Sequence, residues 1–319
     1  MYIIRRCRAP LPSHTPYSTM TEALLPLPTV ERLSSRVIRV LGGNPGKFTL
    51  QGTNTYIVGH GPQRLLIDTG EGAPGWLASL KSVLATEQAT ITTALLTHWH
   101  PDHIGGVPDL LSLNPDTKVY KNSPSVPTQL PIGPDQTFST AGATLRAFFC
   151  PGHTTDHMAF VLEEEDAMFT ADNVLGQGTA VFEDLGAYMQ SLEGMAVQFK
   201  GRAYPGHGPV IEDGLGRITE YIKHRRQREI QVLEVLGQQL EGDDGNGGTA
   251  RERWTPLAIV RLIYKDYPQS LWAPAERGIR QILAKLAQES KVVHDEGSDT
   301  WSLSSSSSSN SSSNTKSTL

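Results

Sequence analysis

The chain has 319 residues, enough for one large domain or a large domain with a small companion. A formal net charge of −5 excludes a strongly basic nucleic-acid binder by bulk charge, though not a local basic patch. Two cysteines, Cys7 and Cys150, are too few for a disulfide framework and favour a reducing compartment. No apolar run nears the roughly 18–20 residues a membrane helix needs.

Residues 1–29 read as a disordered leader. Arg5, Arg6 and Arg8 precede the first acid, Glu22. That pattern fits a mitochondrial transit peptide, or a leader with translation starting at Met20. The short, proline-broken sequence makes a poor amphipathic helix and favours the leader, hence a cytoplasmic chain. The main domain is expected over 30–240. VIRVLGG, 54–59 and 64–70 are short apolar runs ended by glycine or turn residues, the signature of strands. Residues 75–86 have helical periodicity, with Trp76, Leu77, Leu80, Val83 and Leu84 on one side. A buried strand over 91–97 runs into HWHPDHIGG. Further strands are expected over 118–120, 143–149, 158–162 and 167–170, and helices over 185–199 and 214–239.

Residues 241–249, centred on EGDDGNGG, have linker composition. Helical patterning returns from 251, and VVHDEGSDTWSL reads as a hairpin around Gly297. Residues 250–303 are therefore expected to form a small winged-helix-like module. The serine tract of 304–319 cannot bury apolar surface and is expected to be disordered.

Chemistry concentrates in Thr97-His98-Trp99-His100-Pro101-Asp102-His103, which places four ligand-type side chains within six residues. In an extended segment, residues two apart point the same way, so His98 and His100 can face one point. Asp102 and His103 follow as the chain turns toward a helix, and can face a second. Imidazole and carboxylate suit zinc, with manganese or iron as alternatives. Three more candidates follow at strand-to-loop junctions: His153 in CPGHTTDH, Asp172 in FTADNVLG and His207 in YPGHGPV. His157, in the GHTTDH context, is a candidate to stand behind the ligands or to face substrate. His14, His60, His224 and His294 lie in no motif and read as surface or core residues. Cys150 reads as a small core residue at a strand end.

HxHxDH followed by separated His, Asp and His resembles the metallo-β-lactamase superfamily, which includes glyoxalase II. The resemblance spans about residues 36–240. It implies an αββα sandwich with the site at one edge of two packed sheets, and two metal ions. It assigns His98, His100 and His153 to one ion, Asp102, His103 and His207 to the other, and Asp172 as a bridge. It also places Asp68, in LLIDTG, as a buried acid behind the ligands. A pair of ions lowers the pKa of bound water toward neutrality. Asp102 is then the candidate to orient or deprotonate the attacking water. No Ser-His-Asp set or G-x-S-x-G motif offers a protein nucleophile.

The wording of the motifs and of VFEDLGAY resembles the lactamase-β-like group. This group contains fungal metallo-β-lactamase-type thioesterases of aromatic polyketide pathways (the atrochrysone carboxyl ACP thioesterase type) and an animal mitochondrial endoribonuclease. The resemblance implies release of an aromatic polyketide acid from an acyl carrier protein, ahead of single-stranded RNA cleavage. Arg217 to Arg228 carries five Arg/Lys against one Glu. It is expected to be a carrier-protein face, a phosphate-binding face or simply a solvated helix. Against RNA cleavage, the chain shows no run of aromatics of the kind single-strand binders use for stacking. A non-enzymatic metal-binding partner ranks last, because the ligand set is complete. Residues 176–188 are expected to border the substrate pocket, their glycines admitting a bulky ring system.

Overall fold

The computed structural model describes residues 23–238 and 253–304. Most of the leader, the linker over 241–249 and the serine tract beyond Ser304 lie outside the described residues. Two sheets stack face to face. The first has seven strands in chain order: β1 (Val30–Arg32), β2 (Val37–Leu41), β3 (Asn54–Val58), β4 (Gln63–Ile67), β5 (Thr90–Leu96), β6 (Lys118–Lys121) and β7 (Gln129–Pro131). The second runs β12-β11-β10-β9-β8. Its strands are β8 (Thr137–Thr140), β9 (Ala143–Phe149), β10 (Met158–Leu162), β11 (Ala167–Ala171) and β12 (Ala203–Pro205).

The inner faces form one apolar layer. Tyr56, Val58, Leu65, Ile67 and Leu95 meet Leu145, Phe160, Phe169 and Tyr204. Tyr56 meets Phe169 edge-on, with ring centroids 5.1 Å apart, and donates to the Pro205 carbonyl at 2.6 Å, tying the sheets at their functional edge. Helix α1 (Pro74–Glu87) covers the outer face of the first sheet with Trp76, Leu80 and Val83, and α3 (Val107–Leu113) joins it through Leu110. Both faces of these strands are buried, which is why they read as continuous apolar runs. Helices α4 (Leu185–Met195) and α5 (Gly214–Leu236) cover the second sheet; Asp184 and Asp213 accept from the first-turn amides as N-caps. The result is the αββα sandwich.

Helix α4 stops short of the expected 199, because the chain turns at Ala196 so that Phe199 enters the core. The C-terminal module comprises α6 (Pro256–Ile263), α7 (Trp272–Gln288) and the hairpin β13 (Val292–Asp295) with β14 (Thr300–Leu303). The hairpin pairs Val292 with Leu303 and Asp295 with Thr300, turning through Gly297 as the sequence suggested. Ile259, Ile282, Leu283, Leu286 and Trp301 join Val232, Val235 and Leu236 of α5 in one core. No helix of the described residues is long and apolar enough to cross a membrane.

Strand directions decide where ligands collect. β4, β5 and β6 are mutually parallel, so their C-terminal ends share an edge. β9 and β11 are each antiparallel to β10, and β12 is parallel to β11, so these three also end together. Met158 N donates to Thr97 O at 2.8 Å and Asn54 N to Gly206 O at 2.7 Å, stitching the two edges into one.

Candidate metal centre

All seven ligand-type residues arrive at this common edge. His98 and His100 follow β5, and Asp102 and His103 lie in the short helix α2 (Pro101–Ile104). His153 lies in the loop after β9, Asp172 follows β11, and His207 follows β12. They form two groups of donor atoms. In the first, His100 Nδ1 stands 2.9 Å from His98 Nε2 and 3.0 Å from His153 Nε2. In the second, Asp102 Oδ2 stands 3.3 Å from both His103 Nε2 and His207 Nε2. Asp172 reaches both, its Oδ2 being 3.5 Å from His153 Nε2 and 3.2 Å from His207 Nε2. Four ligands placed tetrahedrally about 2.1 Å from an ion are about 3.4 Å apart, so this spacing fits a cation at each group. Buried His103 Nε2 and Asp172 Oδ1 have no hydrogen-bond partner in the protein, as expected of atoms aimed at an ion.

The far nitrogens fix which ring atom points inward. His103 Nδ1 donates to Asp68 Oδ2 at 2.7 Å. His98 Nδ1 donates to Thr97 Oγ1 at 2.9 Å, and that hydroxyl donates to Asp68 Oδ2 at 2.8 Å. His153 Nδ1 donates to the Val181 carbonyl at 2.8 Å. Each ring therefore aims its other nitrogen at the centre. Asp68 thus lies behind His103 directly and behind His98 through Thr97. His157 is buried among the rings, 5.2 Å from His98 and 5.8 Å from His153 between centroids, with Nδ1 3.2 Å from Cys150 Sγ. With 0% exposure it faces no substrate, so that alternative is set aside; it packs behind the first group without bonding a ligand. Cys150 is a buried free thiol just after β9, its pKa pushed up by desolvation, and sits in the core at a strand end as its sequence position suggested. His294 stacks on Trp301, outside both groups.

Electrostatics divides the two groups. Burial, then neighbouring imidazoles, pull His98 well below the usual histidine range, and His100 downward. These rings are neutral and ready to ligate. Burial opposes the charge on His103 and His207 too, but Asp172 with Asp68 or Asp102 outweighs it. His103 is raised well above its ordinary value and His207 to about 9. Asp102 and Asp172 are held well below the carboxylate range: burial opposes this, and the His103 and His207 partners win.

Several contributors carried no sequence signal. Thr53 Oγ1 donates to Asp102 Oδ2 at 3.0 Å, and Asn44 holds Thr53 through its amide at 3.0 Å. Trp99, 45% exposed between two ligands, lies with its ring 4.4 Å from His100. Ala171 sits at φ 43°, a left-handed conformation costly for a residue with a Cβ, immediately before Asp172. At Gly206 a Cβ would lie 2.1 Å from Asp172 Oδ1, so only glycine permits the approach.

Of the segment 176–182, residues 176–178 line a cleft of about 440 Å³ together with Ala23, Leu25, Pro209 and Arg217. The segment touches the centre at both ends: Gly176 N donates to His207 O at 2.9 Å, and Val181 O holds His153. The basic stretch of α5 is largely engaged within the fold. Arg217 donates to Gly178 O and pairs with Glu220, and Arg225 donates to Ala180 O while covering the Phe182 ring at 4.8 Å. Arg226 pairs with Glu193, and Arg228 covers the Tyr264 ring at 4.6 Å. Arg217 and Arg225 thus meet the 176–182 segment and Arg228 the C-terminal module, while Lys223 and Arg226 stay exposed on the helix face.

Residues 48–128 match the metallo-beta-lactamase superfamily, and residues 255–301 match the beta-lactamase associated winged helix domain. The chain is 48% identical over 288 residues to the lactamase-like protein nscB of Neosartorya fischeri, covering 88% of each. It is 47% identical over 285 residues to the lactamase-like protein ptaB of Pestalotiopsis fici, covering 88% of this chain and 90% of the other. A beta-lactamase domain protein from Burkholderia ambifaria shares the fold at TM-score 0.70 and 15% identity, over 86% of this chain and 93% of the other. A metallo-beta-lactamase family protein from Thermus thermophilus does so at TM-score 0.64 and 21% identity, over 85% and 100%. With its sandwich, its C-terminal winged helix and a His/Asp cluster able to bind metal, the chain belongs to the metallo-β-lactamase superfamily of metal-dependent hydrolases.

Proposed function

We propose that the chain is a dinuclear hydrolase, with two zinc ions, that cleaves a thioester and releases an aromatic polyketide acid from an acyl carrier protein. The observation that carries the dinuclear reading is the Asp172 carboxylate, whose one oxygen reaches donor atoms of both groups. Bound at these groups, the ions would supply Lewis acidity, acidifying water and taking up charge that develops on the carbonyl oxygen. The chain's own residues do the rest. Asp68 and Thr97 hold ligand tautomers, Thr53 holds Asp102, and Asp102 Oδ2 orients the attacking water. Water gives up a proton as its oxygen adds to the thioester carbonyl, the carbon–sulfur bond breaks, and sulfur leaves as thiolate and takes up that proton. A thiolate is a good leaving group, so no separate strong acid is required.

Engagement of the α5 arginines counts against RNA, whose binding needs a track of cations along the phosphates. To test the reading, the zinc-loaded chain is incubated with an aryl thioester and, separately, with single-stranded RNA, each with and without chelator. Thioester cleavage lost on chelation is expected. RNA cleavage without thioester cleavage would reverse the assignment.

A further inference from the structure

Lys121 closes β6 and is 2% exposed. Its ammonium has three donors, and all three are taken: by the Asp156 carboxylate, by Asn122 O at 3.1 Å and by Ser123 O at 3.0 Å. Asp156 is 5% exposed and lies three residues beyond His153. Its other oxygen accepts from Thr154 Oγ1 at 2.8 Å, and its carbonyl accepts from Asn122 Nδ2 at 3.3 Å. The ion pair, with the Asn122–Asp156 hydrogen bond beside it, thus ties the turn after β6 to the loop between β9 and β10 that carries His153. The β6 end lies at the same sheet edge as the ligands, because β5 and β6 are parallel.

Such a pair is a poor source of stability. Desolvating an ammonium and a carboxylate offsets most of their attraction, and an apolar pair of similar volume is often as stable or more so. What it adds here is geometry. Residues 151–157 lie outside the strands, and His153 is the only metal-ligand candidate they supply. The His153 ring is held at Nδ1 by Val181 O and the loop before it at Gly152 O by Glu183 N and Asp184 N, whereas the loop after it is held by Asp156, through Lys121 and Thr154.

We propose that Lys121 and Asp156 are positioning residues for the metal centre, keeping His153 Nε2 in register with His98 and His100 while leaving the Asp102, His103 and His207 group unaffected. The inference rests on the two-ion reading above.

Two variants test it: Asp156→Asn, which keeps the shape and the contact with Thr154, and the neutral double replacement Lys121→Met with Asp156→Leu. Zinc is titrated into the metal-stripped full chain against a chelator of known affinity, with melting followed so that only folded protein is scored. One ion is expected to bind about tenfold or more weakly in both variants, the usual scale for groups behind a ligand, with the other ion essentially unchanged. Wild-type affinity for both ions would overturn the proposal. Equal weakening of both ions would overturn it too, since that marks a general loosening of the fold. The number of ions bound by the wild-type chain tests the two-ion reading separately; the comparison of variant with wild type at the His153 group decides this one.

Discussion

Asp68 Oδ2 accepts from His103 Nδ1 at 2.7 Å, and the same oxygen accepts from Thr97 Oγ1 at 2.8 Å. Through Thr97 the carboxylate also reaches His98, so one buried acid orients a ligand in each donor group. Asp68→Asn is therefore expected to weaken binding of both ions by about 10–100-fold. Thr97→Val interrupts only the His98 arm and is expected to weaken one ion. Chelator-competition titration of both variants distinguishes the two effects.

Gly206 lies against the bridging carboxylate, with Ala171 C and His103 Cε1 each 3.1 Å from where a Cβ would sit. Gly206→Ala is expected to displace Asp172, remove most activity, and cost about 1–3 kcal/mol of stability by overpacking. Metal content and urea unfolding, measured on the same preparation, check it.

The pH response of the metal-stripped chain follows from His207. Its pKa rises from an unfolded value of 6.5 to about 9 in the fold, because Asp172 and Asp102 outweigh burial. A raised folded value means stabilisation fully present below 6.5 and lost as pH climbs through 9. The melting temperature of the stripped chain should therefore fall between pH 6.5 and 9. Over the same window zinc affinity at the Asp102, His103 and His207 group should rise, since each ion must displace bound protons. The lowered values of His98 and His100 leave the other group ready at neutral pH, so it should fill first. Calorimetric melting and zinc titration at three pH values test both slopes.

Arg225 spans from α5 to the segment holding His153, donating to Ala180 O at 2.9 Å beside the Phe182 ring. Arg225→Ala should loosen residues 180–182. A loss of about 1–2 kcal/mol is expected from the hydrogen bond and the ring contact together. Turnover should fall with it, because Val181 O fixes the His153 tautomer. Urea unfolding and steady-state kinetics check the pair of effects.

The ligand set was legible in the sequence because its motifs are local. His98, His100, Asp102 and His103 lie within one strand-to-helix turn, and His153, Asp172 and His207 each follow a short apolar run. The long strands and α5 were legible for the same reason, their periodicity being a property of neighbours in the chain. Strands β1, β7, β8 and β12 are only three or four residues long and are made by pairing rather than by pattern. Thr53, Asn44, Gly206 and Lys121 act on the site from distant segments through tertiary contacts, which no local spacing encodes. The arginines of α5 show the converse: a basic run was visible, but the carbonyls and rings that engage it became visible only in the fold.

The most direct measurement is the number of metal ions per folded chain, determined by elemental mass spectrometry on zinc-loaded protein, for wild type and for Asp172→Ala. Two ions per wild-type chain are expected, with loss of both ions or of tight pairing in the variant, since Asp172 reaches both donor groups. A wild-type chain that is fully folded and active toward a thioester with no metal bound would contradict the account.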